Sequence, residues 1–189
     1  MRRLAVAVVL TMALAACGGS GSNTAKTSGT TGGGDTSTST ASSTTTGGST
    51  PPVSVAPTYP TAHLVAVRAA RQATVDRVVF EFSERVPGYS VAYSSEPLAD
   101  TSGKRVTLTG AAALVVRMEA ASGFNLDTGK PTYTGPKQVG PADAQAVQQV
   151  AQVDDFEGVL RWAIGLRGQV GFQVSTLTSP PRLVIDVPS

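Results

Sequence analysis

From Gly18 to Thr50 every residue except Asn23, Ala25, Lys26, Asp35 and Ala41 is Gly, Ser or Thr. No side chain in the run is more apolar than alanine, so no burial can offset the entropy of ordering it. The stretch reads as a tether, and a globular core has to come from the residues C-terminal to it. Pro51, Pro52, Pro57 and Pro60 stiffen its far end. As a coil, residues 18–60 would span roughly 35 Å root-mean-square. Ser42-Ser43-Thr44-Thr45-Thr46 is a candidate for O-glycosylation after export.

The segment before the tether reads as an export signal. Met1-Arg2-Arg3 is a positive start, Leu4 to Ala13 is apolar, and Leu14-Ala15-Ala16-Cys17 closes the segment with small residues. The apolar run ends at Ala16, short of the roughly 20 residues a membrane-spanning helix needs. Leu-Ala-Ala-Cys resembles the lipobox of bacterial lipoproteins, which implies cleavage after residue 16 and acylation of Cys17 with chains such as palmitate. At roughly 0.8 kcal/mol per buried methylene, several chains would hold the protein on the outer face of the cell membrane. The organisation expected is a signal peptide over 1–16, a lipidated Cys17 and disordered tether over 17–60, and a folded domain over 61–189.

Composition narrows the chemistry. The formal charge of +2 is accounted for by Arg2 and Arg3, so the mature chain is neutral and has no basic field for nucleic acid. One Cys excludes an intramolecular disulfide, and one Cys with one His is too few for a Cys/His zinc site. No metal and no cofactor is expected.

Residues 61–189 carry short apolar and β-branched runs between Gly, Pro, Asp and Ser clusters, the pattern of an all-β, two-sheet sandwich of about eight strands. Strands are predicted at 63–68, 77–82, 90–93, 105–108, 113–118, 147–153, 159–166, 172–177 and 182–187. Over 141–153 a helical period competes, through Ala144, Val147, Val150 and Ala151. Asp100-Thr101-Ser102-Gly103 and Asp127-Thr128-Gly129-Lys130 have the chemistry of tight turns. Alternation puts Val78, Phe80 and Phe82, and Leu183, Ile185 and Val187, in the core. The two segments share the pattern Arg, apolar, Val, apolar, acid, apolar, which fits two related halves packed as two sheets.

Asp76-Arg77-Val78-Val79-Phe80-Glu81-Phe82, Pro87-Gly88-Tyr89 with Tyr93, and Pro131-Thr132-Tyr133-Thr134-Gly135-Pro136 resemble the AMIN-like domain of actinobacterial lipoproteins. Asp155-Phe156-Glu157-Gly158-Val159-Leu160, Trp162-Ala163-Ile164-Gly165-Leu166 and Pro180-Pro181-Arg182-Leu183-Val184-Ile185-Asp186-Val187 carry the likeness to the last strand. Related AMIN domains precede the catalytic domain of N-acetylmuramoyl-L-alanine amidases and occur in secretin assemblies. The resemblance implies two packed β-sheets and targeting to peptidoglycan rather than catalysis.

No catalytic constellation stands against that. His63 lies at the domain entrance without a Gly-x-Ser-x-Gly elbow and reads as structural. Asp127-Thr128-Gly129 lacks the flanking apolar strand of an aspartic protease and reads as a turn. Asp154, Asp155 and Glu157 read as a solvated loop rather than a calcium site. Gly165-Leu166-Arg167-Gly168 has no following helix to make it a phosphate loop. Binding remains. Sugar rings stack on aromatic faces and stem-peptide carboxylates suit the guanidinium fork, so Tyr89, Tyr93, Tyr133, Arg117 and Arg161 are the candidate ligand residues. The alternative for the tyrosines is packing under loops. Trp162 is expected in the core with Leu160, Ile164 and Leu166, and Arg161 outward with Val159 and Ala163. The expected function is a non-enzymatic, lipid-anchored envelope protein that binds wall glycan or an envelope partner. The alternatives are a small envelope hydrolase and a carrier of an apolar ligand.

Overall fold

Alternation sorts the side chains into an interior between two sheets. In the computed structural model, which describes residues 51–141 and 143–189, the first sheet has the order β1-β4-β5-β9-β8-β7 and the second β10-β11-β3-β2-β6. Cys17 and the segment through residue 50 lie outside the described residues. The strands are β1 (Val53–Val55), β2 (Ala62–Gln72), β3 (Val75–Phe82), β4 (Gly88–Ser94), β5 (Ala112–Glu119), β6 (Ala121–Ser122), β7 (Gln138–Val139), β8 (Val147–Phe156), β9 (Val159–Leu166), β10 (Gln173–Thr178) and β11 (Pro181–Pro188). The fold is an all-β sandwich, and eight of its strands have six or more residues.

Leu114, Val116 and Met118 of β5 and Leu160, Trp162, Ile164 and Leu166 of β9 face Val78, Phe80 and Phe82 of β3 and Leu183, Ile185 and Val187 of β11, all at most 1% exposed. The Trp162 ring stands edge-on to Phe80, with centroids 5.9 Å apart, and to Tyr133 at 5.6 Å. The core residues expected from alternation are therefore the core residues found. Strand rather than helix takes the second half of 141–153, from Val147 onward.

Three expectations are corrected. Arg105–Leu108 is not a strand: Val106 donates to Leu98 O at 2.9 Å and Arg105 forms only an isolated bridge with Ala99, so this limb pairs with the outgoing limb of its own loop. Its half-buried Val106 and Leu108 alternate as in a strand because they turn one side toward the sheet. The two echoing segments do not lie in separate sheets. β3 and β11 are antiparallel neighbours, and their reversed register sets Arg77 against Asp186, where Nε and Nη2 donate to the two carboxylate oxygens at 2.6 Å each. The first sheet also reaches into the stretch assigned to the tether, because Val53, Ser54 and Val55 pair with Val91, Ser90 and Tyr89.

One buried acid ties the sheets together. Asp76, 1% exposed on β3, accepts backbone N–H bonds through Oδ2 from Gln145 (2.8 Å), Ala146 (2.6 Å) and Val147 (3.0 Å) as the chain enters β8. A buried carboxylate without partners costs several kcal/mol, and three amides left unpaired would cost a similar amount. Asp76→Ala is expected to lower the unfolding free energy by about 3 kcal/mol, and Asp76→Asn, which keeps one acceptor oxygen, by roughly half of that. Urea denaturation at neutral pH measures both, and a loss under about 1 kcal/mol for the alanine variant would contradict the tie.

Candidate functional site

Register assembles the two predicted arginines. Ser90 pairs with Arg117, Arg117 with Arg161, and Arg161 with Asp154, so one row crosses β4, β5, β9 and β8 on the face away from the core. Arg117 Nε donates to Glu119 Oε1 at 3.0 Å. Arg161 Nη2 donates to Ala99 O at 3.0 Å and to Asp154 Oδ2 at 3.2 Å.

The partner of Arg161 belongs to a strap, residues 97–109, that crosses the outer face. Its tip is the expected Asp100–Gly103 turn, where Asp100 Oδ1 accepts from Ser102 N (2.9 Å), Ser102 Oγ (2.6 Å) and Lys104 N (2.9 Å). Asp154 pins the tip by accepting from the Thr101 amide at 2.9 Å and from the Thr101 hydroxyl. The returning limb is held by Thr109 N donating to Gln149 Oε1 at 2.7 Å. It passes so close to β9 that a Cβ on Gly165 would overlap the carbonyl oxygen of Thr109. Ala163, expected to look outward, is fully buried because the strap touches Arg161 and Gly165 on either side of it.

Where the strap ends, two depressions open on either side of Asp154. The outer groove, about 360 Å³, is lined by Thr101, Arg117, Asp154, Phe156, Glu157, Val159 and Arg161. Phe156 is 51% exposed. It is aimed by the two-residue turn Glu157-Gly158, whose φ values of 50° and 75° match the twist of a tight hairpin. The edge cleft, about 270 Å³, is lined by Phe124, Tyr133, Lys137, Gln152, Asp154 and Asp155, among others. Its wall is held to β8 by Asp155, which accepts from Ser122 Oγ (2.9 Å) and Gly123 N (2.8 Å).

Of the predicted tyrosines only Tyr93 joins the arginines, lining with Arg117 and Arg161 a third depression of about 380 Å³ beside the strap. Tyr89 is only 8% exposed within the core, so its ring offers no face to a sugar, and it is withdrawn from the ligand set by packing. Tyr93 packs edge-on to Phe172 at 5.9 Å, donates to Val170 O at 2.6 Å and accepts from Val170 N at 3.0 Å, so both its ring and hydroxyl are engaged. Tyr133 lines the edge cleft and donates to Pro136 O at 2.6 Å. Burial pushes all three phenols above their ordinary value, so they stay neutral. Sequence reasoning missed Phe156 and Phe124. The bulge between Gln152 and Asp154 shifts the alternation of β8, so Asp154 and Phe156 face outward while Val147 and Val150 face the core, and strict period two cannot show that.

The discarded catalytic constellations have other partners. His63 Nδ1 lies 3.1 Å from Glu84 Oε1, whereas the Ser83 hydroxyl points to the backbone oxygen of His63 rather than to its ring. Burial would raise the Glu84 carboxyl, but bonds from Ser83 and His63 outweigh it and hold it below the usual range. The Asp127–Lys130 segment is a turn closed by Asn125 Oδ1, which accepts from Thr128 N and Oγ1 at 2.9 Å each. Asp154 and Asp155 turn to different partners, Thr101 and Ser122.

Burial also acts to raise Asp154, but bonds from Thr101, Arg161 and the amide of Asp155 hold its carboxyl below the usual range. A lowered folded value means that its stabilisation of the strap is complete above the unfolded value of about 3.9 and is lost as pH falls through the lower folded value. The Thr101 amide resonance is expected to titrate with a midpoint below about 3.9, and Asp154→Asn to abolish the transition. A midpoint at or above the ordinary value would show that Asp154 does not pin the strap.

Residues 62–189 match the family model of the AMIN-like domain. No curated protein and no solved structure matches the chain. The match takes in both sheets except β1 and covers more than half of the sequence, so the chain belongs to the AMIN-like domain family, which gives it an association with the cell envelope.

Proposed function

We propose that the protein is a non-enzymatic, lipid-anchored component of the cell envelope whose β domain binds peptidoglycan or a related wall glycan and so localises the chain or an envelope partner. Family membership supports the envelope association. The observation that carries the ligand reading is the outer groove, where the exposed ring of Phe156 stands beside Arg117 and Arg161. A pyranose packs its apolar face on such a ring, and a stem-peptide carboxylate takes two parallel N–H bonds from a guanidinium. Arg161 is fixed by Ala99 and Asp154 and shapes the groove. Arg117, 43% exposed and bonded to Glu119 through Nε, keeps its outer N–H groups for ligand. A hydrolase built on the single His would need a nucleophile at its ring, and the neighbouring Ser83 hydroxyl turns to the His63 backbone oxygen instead. A carrier would need an enclosed apolar cavity, whereas the depressions around the arginines and Asp154 are open and lined by charged groups.

Co-sedimentation with purified sacculi across a salt series tests this reading. Saturable binding is expected, with Phe156→Ala and Arg117→Ala each weakening it by about tenfold, the arginine variant also flattening the salt dependence. Absence of binding would remove direct glycan recognition and leave a protein partner. For the anchor, Cys17→Ser is expected to abolish incorporation of labelled palmitate and move the chain out of the membrane fraction. Persistent labelling would place the lipid elsewhere.

A further inference from the structure

We infer that the edge cleft is a subsite for one neutral, hydroxyl- or acetamido-bearing pyranose ring, distinct from the arginine groove. This deepens the wall-glycan reading and rests on it. Phe124 is 45% exposed and forms part of the cleft wall, giving a ring face to stack on. Tyr133 is held from three directions: edge-on to Trp162 at 5.6 Å, by its hydroxyl to Pro136 O at 2.6 Å, and against Gly135, where a Cβ would lie 2.7 Å from the phenolic oxygen. The cleft wall is thus set before any ligand arrives, and little ordering remains to be done on binding.

Polar groups with spare capacity surround that wall. The Gln152 carboxamide lines the cleft and makes no side-chain hydrogen bond among the described residues, so it offers a donor and an acceptor to a hydroxyl or an acetamide. Lys137 has no carboxylate within ion-pair distance among the described residues. Asp100, which accepts through Oδ1, and Asp155, which takes one bond on each oxygen, supply acceptors, whereas Asp154 is taken up by Thr101 and Arg161. With Asp154 paired to Arg161, Asp100 and Asp155 against the Lys137 ammonium leave the cleft net negative, which repels anionic wall polymers and favours a neutral ring. Its volume of about 270 Å³, under the roughly 300 Å³ at which pockets for drug-sized ligands begin, suits one ring seated in the cleft. Because Asp154 also lines the outer groove, a glycan carrying a carboxylate on the neighbouring unit could place its neutral ring here and its acid at Arg117.

Chitotetraose, an N-acetylated oligosaccharide without any carboxylate, separates the two sites. The experiment is calorimetric titration of the full-length chain in detergent micelles, paired with the indole N–H resonance of Trp162, the only tryptophan and the neighbour of Tyr133. The expected result is saturable binding that shifts this resonance and is weakened about tenfold or more by Phe124→Ala and by Gln152→Ala. Thermal melting of each variant checks that the fold is kept, and the Gln152→Ala change serves if Phe124→Ala melts early. No binding of chitotetraose by a chain that still pellets with sacculi would overturn the cleft and spare the wall reading. Failure of both would overturn both. Binding that ignores the Phe124 and Gln152 changes would place the sugar elsewhere and overturn the assignment.

Discussion

The carboxylate of Asp76 determines where β8 begins, and the layout of the outer face depends on that. It is anchored on β3 in one sheet and holds three successive amides of the chain entering the other. Its second oxygen and Arg71 Nη1 are both buried without partners, on residues paired in register across the β2–β3 hairpin. A charge so placed is tolerated because the amides supply a fixed positive field that water would otherwise provide. With the start of β8 fixed, the two bulges along it decide which residues emerge on the outer face. Asp154 and Phe156 are two of them.

The strap depends on the same strand. Thr101 is bonded to Asp154, Thr109 to Gln149, and Ala99 to Arg161, so β8 and β9 supply every side-chain anchor named for it. These are polar ties on a sheet face that would otherwise meet solvent, and they leave the ends of the face open as grooves. A small residue at 165 is needed for the return limb to approach so closely. The covered part of the face is therefore structural, and the uncovered rim carries the exposed aromatic rings.

Much of the interior was legible because its strands are long and strictly alternating. Val78-Val79-Phe80-Glu81-Phe82 and Leu160 to Leu166 need only a period of two to be placed correctly. Arg105–Leu108 alternates just as cleanly, yet it lies on a sheet instead of within one, since periodicity reports which side is buried and says nothing of ladder partners. β1, β6 and β7 have two or three residues and leave no periodic trace. At the site, the exposure of Arg117 could be read from alternation but its neighbour could not, because Arg117↔Arg161 is set by register between strands far apart in the chain. The burial of Tyr89 could not be read for a related reason. An amphipathic ring at a strand position serves equally as a core filler or as a stacking platform, and only the opposing sheet decides.

Charge pairing separates the arginines that build the fold from those that can serve a ligand. Arg77 gives two parallel bonds to Asp186 and a third to Gln72, which uses Nε, Nη1 and Nη2. Arg68 closes on Glu81 with both terminal nitrogens. Both sit on the second sheet, where the acid of one strand lies beside the base of its neighbour. On the first sheet the row is different: Arg117 stands opposite Arg161, like charge against like, and each draws a carboxylate from along its own face. Two guanidinium groups side by side are unfavourable unless something anionic approaches. Arg161 satisfies this inward, through Asp154. Arg117 gives Glu119 only its Nε, which leaves it half-exposed beside Phe156 with both terminal nitrogens free of hydrogen bonds among the described residues.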